Sequence, residues 1–244
     1  MKTCIIVPVY NHENAIPQLL SKLKPQGLPC LLVNDGSSPD CSQVLADCAR
    51  QQADWLSLIE RPANSGKGAA VIDGFNWAIA QGFSHAIQID ADGQHDVQDI
   101  AKLLHLSRDN PQAMLLGKPI YAASAPKSRV YGRQFTNMWI WINTLSLAID
   151  DGMCGLRLYP LLAVEKLLHN TNIAQGMAFD IDIAVRLYWQ GVDVLNLPTA
   201  VSYPLDGVSH FKMWRDNVLI SQTHAKLFLG MLIRIPKLLL RHFR

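Results

Sequence analysis

The sequence is short of charged residues, of C-x-x-C cysteine pairs and of long apolar runs, and each shortage excludes a class of protein. Charged residues make up 17% of the 244 positions and the net charge is +2, which gives no support for a nucleic-acid partner. The five cysteines are scattered, so we expect reduced thiols in the cytosol and neither a zinc site nor a disulfide framework. No uncharged apolar run reaches the roughly 18 residues of a membrane span. The apolar content of 49% predicts a globular protein with a sizeable core.

The two ends of the chain differ in character. At the N-terminus, the apolar stretch of "MKTCIIVPVYN" is too short for a signal peptide and predicts the first strand of the fold. From residue 217 to residue 244 there is no acidic residue, but Leu, Phe, Ile and Met are interspersed with Lys226, Arg234, Lys237, Arg241 and Arg244. We therefore expect one domain over residues 1–204 and a basic, amphipathic helical appendage over residues 205–244. Such an appendage is expected to lie in a membrane interface; docking on the domain and an oligomer contact are the alternatives.

Short β-rich runs alternate with helical patterns along the chain. The predicted strands cover residues 4–9, 28–33, 56–60, 85–90, 113–116 and 192–197. Helical patterns lie near residues 13–24, 40–53, 67–81, 97–108, 129–149, 161–168 and 178–190. This alternation predicts an α/β fold, with a mostly parallel sheet flanked by helices on both faces.

Four polar or glycine-rich loops follow these strands or open the helices: "PVYN" (8–11), "NDGSS" (34–38), "NSGKG" (64–68) and "DADGQ" (90–94). Ligands of such sheets bind beyond the carboxyl ends of the strands, so the four loops are expected to share one site. In the fourth loop, the spacing of Asp90 and Asp92 allows two carboxylates to bind one hard cation, although a solvated loop has the same composition.

Each of the other three loops has a structural and a functional interpretation when it is taken alone. Asp35 either accepts hydrogen bonds from a base or ribose or belongs to a capped turn. The loop before Lys67 fails the P-loop pattern, because Arg61 and Gly68 stand where Gly and Ser or Thr are required. It either meets an anion or is a capped helix start. Tyr10 either stacks on a base or packs in the core.

In this order and spacing, the four loops resemble the motifs of the family-2 glycosyltransferases of the GT-A fold, especially the branch that transfers sugars to polyprenyl or dolichyl phosphate. The family pattern runs P-x-Y-N, N/D-D-G-S, N-x-G-K-G-x-A and D-A-D-G-Q-H. Two later segments, "CGLRLYP" (154–160) and "FDIDIAVRLYWQGV" (179–192), resemble the family's T/C-G-F-R strand and its acidic helix. The resemblance covers most of the chain to about residue 204. It departs at His12, where the family often has an acid, and at Asp96 and Val97, where the family has a proline-rich step.

The resemblance implies a GT-A fold and a site for a nucleotide-sugar donor. The implied donor-binding residues are Pro8, Tyr10, Asn11, Glu13, Asp35, Asn64, Lys67 and Asp90. The implied metal face is Asp90, Asp92 and Gln94, and we expect the alternation of an extended segment to turn these three side chains to one side. Oxygen ligands suit Mg²⁺ or Mn²⁺, which neutralises a diphosphate leaving group as a Lewis acid. His95 is expected to be structural.

An acceptor site is implied further along the chain. Asp180 and Asp182 lie at a predicted helix start, where acids complement the helix dipole, but the family's acidic pair faces the acceptor. Asp180 is expected to be the catalytic base, and Asp182 is the second choice. An arginine fork suits an acceptor phosphate, and the expected arginines are Arg129, Arg133 and Arg157. By resemblance, the residues of segment 209–217 near the donor edge are His210, Arg215 and Asp216.

The resemblance, taken with these residues, implies an inverting, metal-dependent glycosyltransferase. It is expected to move a sugar from a nucleotide-sugar, with a UDP-sugar as first candidate, to a lipid-linked acceptor that is a polyprenyl phosphate or a lipid hydroxyl. The expected location is cytoplasmic, peripheral on the inner face of the cell membrane. Two alternatives stay open: a catalytically inactive sugar-nucleotide or lipid-binding protein on the same fold, and a sugar-1-phosphate nucleotidyltransferase. The latter usually has a glycine-rich basic loop after the first strand, and "PVYNHEN" has no glycine.

Overall fold

A seven-stranded sheet organises the computed structural model, which describes residues 1–121, 127–202 and 211–241; the side chains at 121 and 127–130 are outside this description. The strands are β1 (Thr3–Val9), β2 (Cys30–Asn34), β3 (Leu56–Glu60), β4 (His85–Gln88), β5 (Met114–Tyr121), β6 (Arg157–Pro160) and β7 (Val194–Val201). The helices of the described ranges are α1 (Ile16–Leu23), α2 (Pro39–Gln51), α3 (Lys67–Ala80), α4 (Asp99–Asp109), α5 (Lys127–Thr144), α6 (Leu161–Asn170), α7 (Phe179–Gln190), α8 (Met213–Leu232) and α9 (Ile235–Arg241).

The order of the strands across the sheet is β3-β2-β1-β4-β6-β5-β7. β1 pairs in parallel with β2 and β4, and the pairs β2–β3 and β5–β7 are also parallel. β6 is inserted between β4 and β5 and runs antiparallel to both. The prediction of a mostly parallel sheet is confirmed, while β6 was indicated only by the family motif and not by the alternation of strands and helices.

Helices cover both faces of the sheet, so its central strands are apolar throughout. β1 and β2 are buried along their whole length. On one face α1, α2 and α4 contribute buried side chains such as Leu20, Leu45 and Ile100. On the other face α3, α6 and α7 contribute Phe75, Val164 and Phe179 among others. The result is a three-layer arrangement with the strand ends left accessible at its edge.

β5 and β7 are longer than predicted. Each contains a proline in its second half and continues beyond it. Lys118 of β5 is in register with Pro198, and Pro119 with Thr199. Proline lacks an amide donor and is tolerated where a strand is paired on one side. β7 is an edge strand, and β6 pairs with β5 at Leu115 and Leu116, before Pro119 is reached. Both prolines therefore lie inside strands that extend beyond the predicted ends at residues 116 and 197.

The C-terminal helices pack on the sheet domain. α8 buries Ile220, His224 and Leu227 against α5 and α7. In α9, Arg241 donates to the Tyr188 carbonyl at 2.5 Å and to the Val192 carbonyl at 2.7 Å. The predicted boundary at residue 205 falls in 203–210, outside the described residues, so the division into a domain and an appendage stays a prediction.

A helix that crosses a membrane must be both long enough and apolar enough, and the described helices differ in how they meet these two requirements. None of them meets both requirements alone, whereas α8 and α9 meet them as a pair that is bent by 82° at the break between them.

Candidate active site

The four motif loops meet at the carboxyl edge of the sheet, beyond β1, β2 and β4, together with the first turns of α3 and α7. The Asn11 amide donates to Ser37 Oγ at 3.1 Å, and Asn11 Oδ1 accepts from the Ser38 amide at 2.8 Å. Asn11 has a φ of 51°, in the left-handed region that asparagine tolerates better than most residues. Asn11 therefore fixes the first loop on the second.

The other residues predicted on the first loop differ in their surroundings. Pro8 is buried in β1, in register with Val33, and Tyr10 is half-buried just beyond the strand. Glu13 Oε2 is buried and has no hydrogen-bond partner among the described residues. A buried polar oxygen without a donor costs free energy, so Glu13 keeps an unmet hydrogen-bonding capacity at this edge.

Asp35 holds the third loop in shape. Its Oδ2 accepts from the Gly66 amide at 2.8 Å and from Asn64 Nδ2 at 3.0 Å, and its Oδ1 accepts from the Ser65 amide at 3.1 Å. The same Oδ1 pairs with Arg61. Both oxygens of this buried carboxylate are thus engaged by the protein, and a direct contact of Asp35 or Asn64 with a nucleoside stays a prediction.

Lys67, the first residue of α3, lies between two carboxylates. Its Nζ is 2.7 Å from Asp180 Oδ2 in a hydrogen-bonded ion pair and 2.7 Å from Asp90 Oδ1. Burial alone would lower the pKa of Lys67, but the charges of Asp180 and Asp90 outweigh it and raise that pKa above its ordinary value. Likewise, burial alone would raise the pKa of Asp90, but Lys67, His95 and Arg157 together outweigh burial and hold that pKa low. Lys67 therefore connects the predicted metal face with the predicted acceptor face.

Asp180 is held in place by a buried network of polar side chains. Its Oδ1 accepts from Gln88 Nε2 at 2.8 Å, and its backbone carbonyl accepts from Arg157 Nη1 at 2.6 Å. Arg157 also donates through Nε to the Cys154 carbonyl at 2.6 Å and is 0% exposed. The sequence predicted Arg157 as an acceptor ligand, but in the structure its described contacts hold the first turn of α7.

Asp182 has different partners from Asp180, although both lie in the first turn of α7. Its Oδ1 accepts from Arg186 Nε at 2.5 Å, and its Oδ2 accepts from the Ala174 amide at 2.8 Å. Asp182 is 3% exposed. These contacts tie the connection between α6 and α7 to α7, and the choice of Asp180 before Asp182 as catalytic base stays a prediction.

The loop with the predicted metal ligands is a turn and not an extended segment. β4 ends at Gln88, two residues earlier than predicted, and Gly93 has a φ of 70°. Asp92 Oδ1 accepts from the Gln94 amide at 3.1 Å, which closes the turn. The expectation that strand alternation orients the three side chains is therefore wrong. The turn instead brings Asp92 back towards the edge on which Asp90 lies.

The chemistry of this loop fits a divalent cation. His95 Nδ1 is buried and makes no hydrogen bond within the described residues, and the buried Asp90 Oδ1 has the Lys67 ammonium 2.7 Å away. Burial and the charge of Asp90 raise the pKa of Asp92, and burial lowers the pKa of His95. Two crowded carboxylates are oxygen ligands of the kind that Mg²⁺ and Mn²⁺ prefer. However, no group of three or more His, Cys, Asp or Glu side chains in the described ranges is arranged for metal binding.

Two of the three predicted acceptor arginines, Arg129 and Arg133, lie on α5. Arg133 is ion-paired with Asp151 at 3.5 Å and donates to the Met153 carbonyl at 3.2 Å, with its side chain 20% exposed. Arg129 lies one turn earlier on the same helix, and its side chain is outside the description. His210 also lies outside the described residues. Positions four apart share a helix side, so Arg129 and Arg133 are on one side of α5.

Several residues of the site were missed by the sequence patterns. A Cβ on Gly155 would overlap the carboxylate of Asp90, so this glycine gives Asp90 its place. Gln88 was treated only as part of a strand, although it is the hydrogen-bond donor to Asp180. Arg61 was treated only as a P-loop mismatch, although it also pairs with Asp73 at 2.7 Å. Among these residues, only the glycine of "CGLRLYP" was part of a motif recognised in the sequence. Its role becomes clear only when the fold places it against Asp90.

The seven-stranded, mostly parallel sheet flanked by helices is the architecture of the GT-A glycosyltransferases. The model of the family "Glycosyl transferase family 2" matches residues 4–159, more than half of the chain. The chain belongs to glycosyltransferase family 2. This family membership supports the predicted transferase and not the nucleotidyltransferase alternative.

Individual relatives agree with this assignment. Polyprenol monophosphomannose synthase of Mycolicibacterium smegmatis is 28% identical over 226 residues, covering 89% of this chain and 83% of that protein. Undecaprenyl-phosphate mannosyltransferase of Micrococcus luteus is 25% identical over 212 residues, covering 81% of this chain and 82% of that protein. A mannosyltransferase from Pyrobaculum calidifontis, solved with GDP-Man and Mn²⁺, matches with a TM-score of 0.62 at 16% identity, covering 98% of this chain and 73% of that chain. The last likeness shows the fold.

Proposed function

We propose that this glycosyltransferase transfers a sugar, with inversion, from a nucleotide-sugar to a polyprenyl phosphate, using Mg²⁺ or Mn²⁺. The observation that carries the proposal is the juxtaposition of Asp90, Asp92, Lys67 and Asp180 at the carboxyl edge of the sheet. A UDP-sugar is the first candidate donor. The names of these two relatives, which refer to polyprenol and undecaprenyl phosphate, support the acceptor class.

The donor side of the proposal rests on charge. A divalent cation held by Asp90, Asp92 and Gln94 would neutralise the diphosphate while the bond between it and the sugar C1 breaks. Lys67 is available as a second positive group at the start of α3, where the helix dipole also favours an anion. Asp35 stabilises the loop that leads into this helix, and Asn11 fixes the neighbouring loop, so both act as supports for the donor site.

The acceptor side rests on the state of Asp180. A phosphate acceptor is already ionised near neutral pH, with a second pKa of about 6, so its oxygen attacks C1 without transferring a proton. A hydroxyl acceptor would need a carboxylate to take its proton. Both carboxylate oxygens of Asp180 are engaged, by Gln88 and Lys67, and a hydroxyl would have to share an oxygen with one of these partners. This arrangement favours the phosphate.

Exposed apolar side chains near the acceptor arginines support a lipid-linked substrate. On α5, Tyr131 is 68% exposed and Phe135 is 61% exposed. On α8, which packs on α5, Trp214 is 87% exposed, and on α9 Leu240 is 67% exposed. Apolar side chains exposed on neighbouring helices are typical of a membrane-contacting surface. We therefore assign α5, α8 and α9 to peripheral contact with the inner face of the cell membrane.

The acceptor class can be tested with substitutions on each side of the site. For a phosphate acceptor, Arg129→Ala and Arg133→Ala are expected to raise the acceptor KM by about tenfold, because a charged hydrogen bond contributes about 1.5–3 kcal/mol. Asp180→Asn is expected to lower kcat by a smaller factor. Arg108→Ala, which removes an exposed arginine of α4, is the matched control and should leave KM unchanged. If both α5 variants keep the wild-type KM while Asp180→Asn is inactive, the acceptor is an alcohol.

A further inference from the structure

The ammonium of Lys67 supplies positive charge between two carboxylates of the site. Its ammonium touches Asp90 and Asp180 together, at 2.7 Å each, and its side chain is 15% exposed. The nearest further cation of the network is Arg157, which is fully buried. Three carboxylates, those of Asp90, Asp92 and Asp180, are therefore balanced against two fixed positive groups, which leaves one formal negative charge.

One negative charge is a weak attraction for a divalent cation. The affinity of oxygen sites for such ions depends on how many carboxylates are available as ligands. Mg²⁺ binds its oxygens at about 2.0–2.1 Å. A metal ion on Asp90 Oδ1 would therefore lie within about 5 Å of the Lys67 ammonium as it now stands, and the two cations would repel each other.

We propose that Lys67 is a resident cation that opposes metal binding until a nucleoside diphosphate arrives, and that it then leaves Asp90 for a phosphate oxygen. This inference rests on the proposed function, because it takes Asp90 as a metal ligand. The diphosphate adds negative charge to the edge, so that the metal ion and Lys67 are both neutralised. Metal and donor binding are thereby coupled, and the coupling is reciprocal, because each ligand tightens the other by the same factor.

The test measures Mn²⁺ binding directly, from the electron paramagnetic resonance signal of free Mn²⁺, with and without UDP. Lys67→Met is expected to bind Mn²⁺ alone about tenfold more tightly than wild type or better, since removal of the ammonium leaves the carboxylates unopposed. The factor by which UDP improves Mn²⁺ affinity should fall by a similar amount in this variant. GDP is used in parallel, because the nucleotide is not fixed by the proposal.

Two controls separate charge from packing. Lys67→Arg keeps the cation and should bind Mn²⁺ alone about as weakly as wild type. Lys102→Met removes a lysine of α4 that pairs with Asp99 at 2.6 Å, and it should leave Mn²⁺ affinity unchanged. Circular dichroism and thermal melting check the fold, and Lys67→Gln replaces Lys67→Met if the latter does not fold.

The outcomes distinguish this inference from the proposed function. Wild-type protein that binds no Mn²⁺ at saturating UDP or GDP would remove the metal site itself. Wild-type protein that binds Mn²⁺ with nucleotide, while the neutral variants bind Mn²⁺ alone no better than wild type, would overturn the role of Lys67 only. The same holds if Lys67→Arg tightens Mn²⁺ binding as much as Lys67→Met.

Discussion

At the scale of residues, the site depends on neutral and buried groups as much as on its acids. Asp180 has its carboxylate fixed by Gln88 and its carbonyl by Arg157, both fully buried. The acids could be found in the sequence because their motifs are local. Gln88 could not, because it lies 92 positions before Asp180 and nothing near it indicates the pairing.

Gly155 provides a test at this scale. A Cβ on residue 155 would overlap the Asp90 carboxylate, so Gly155→Ala should displace Asp90 and weaken Mn²⁺ binding in the presence of UDP by about tenfold or more. The measurement is the Mn²⁺ titration described above. Gly132→Ala on α5, where a Cβ meets nothing within 4 Å, is the matched control and should bind as wild type does. Unchanged Mn²⁺ affinity in Gly155→Ala would show that Asp90 needs no such space.

At the scale of elements, the C-terminal helices combine docking with an exposed apolar face. The sequence predicted their basic and amphipathic character. It could not show which basic residues dock the helices on the domain and which remain exposed. Arg241 binds carbonyls at the end of α7, and Arg234 lies over the Trp189 ring at 4.6 Å. Lys226 and Lys237 remain exposed and available to an anionic surface, at about 1 kcal/mol each.

Membrane contact is best tested with substitutions on these helices. Removing the helices would expose core residues that pack against the buried Leu227. Leu229 is 66% exposed and Ile233 is 78% exposed. Burying such a side chain contributes about 1.5–3 kcal/mol, so the double variant Leu229→Glu, Ile233→Glu should float with anionic vesicles at least about tenfold less than wild type. Leu162→Glu, at an 80% exposed leucine of α6, is the control and should float as wild type does. Equal flotation of all three proteins would reject membrane contact through these helices.

At the scale of the whole molecule, the sheet rule explains why distant motifs share one site. The alternation of strands and helices was sufficient to predict that the loops after β1, β2 and β4 would meet. It could not predict that β6 enters between β4 and β5, because that antiparallel pairing depends on contacts far apart in sequence. This insertion brings Gly155 against Asp90 and Arg157 against Asp180, and so it completes the site.

The central claim is that a metal-assisted transfer from a nucleotide-sugar to polyprenyl phosphate takes place at the edge formed by Asp90 and Asp92. The most direct measurement is nucleoside diphosphate release by the full chain from UDP- and GDP-sugars, with polyprenyl phosphate, before and after chelation. The wild-type protein should release diphosphate only with both metal and acceptor. Asp92→Asn should lower turnover about 100-fold or more while keeping its fold, because its amide oxygen can still accept from the Gln94 amide but is a weaker metal ligand. Wild-type activity that survives exhaustive chelation, or near-normal turnover in Asp92→Asn, would contradict the account.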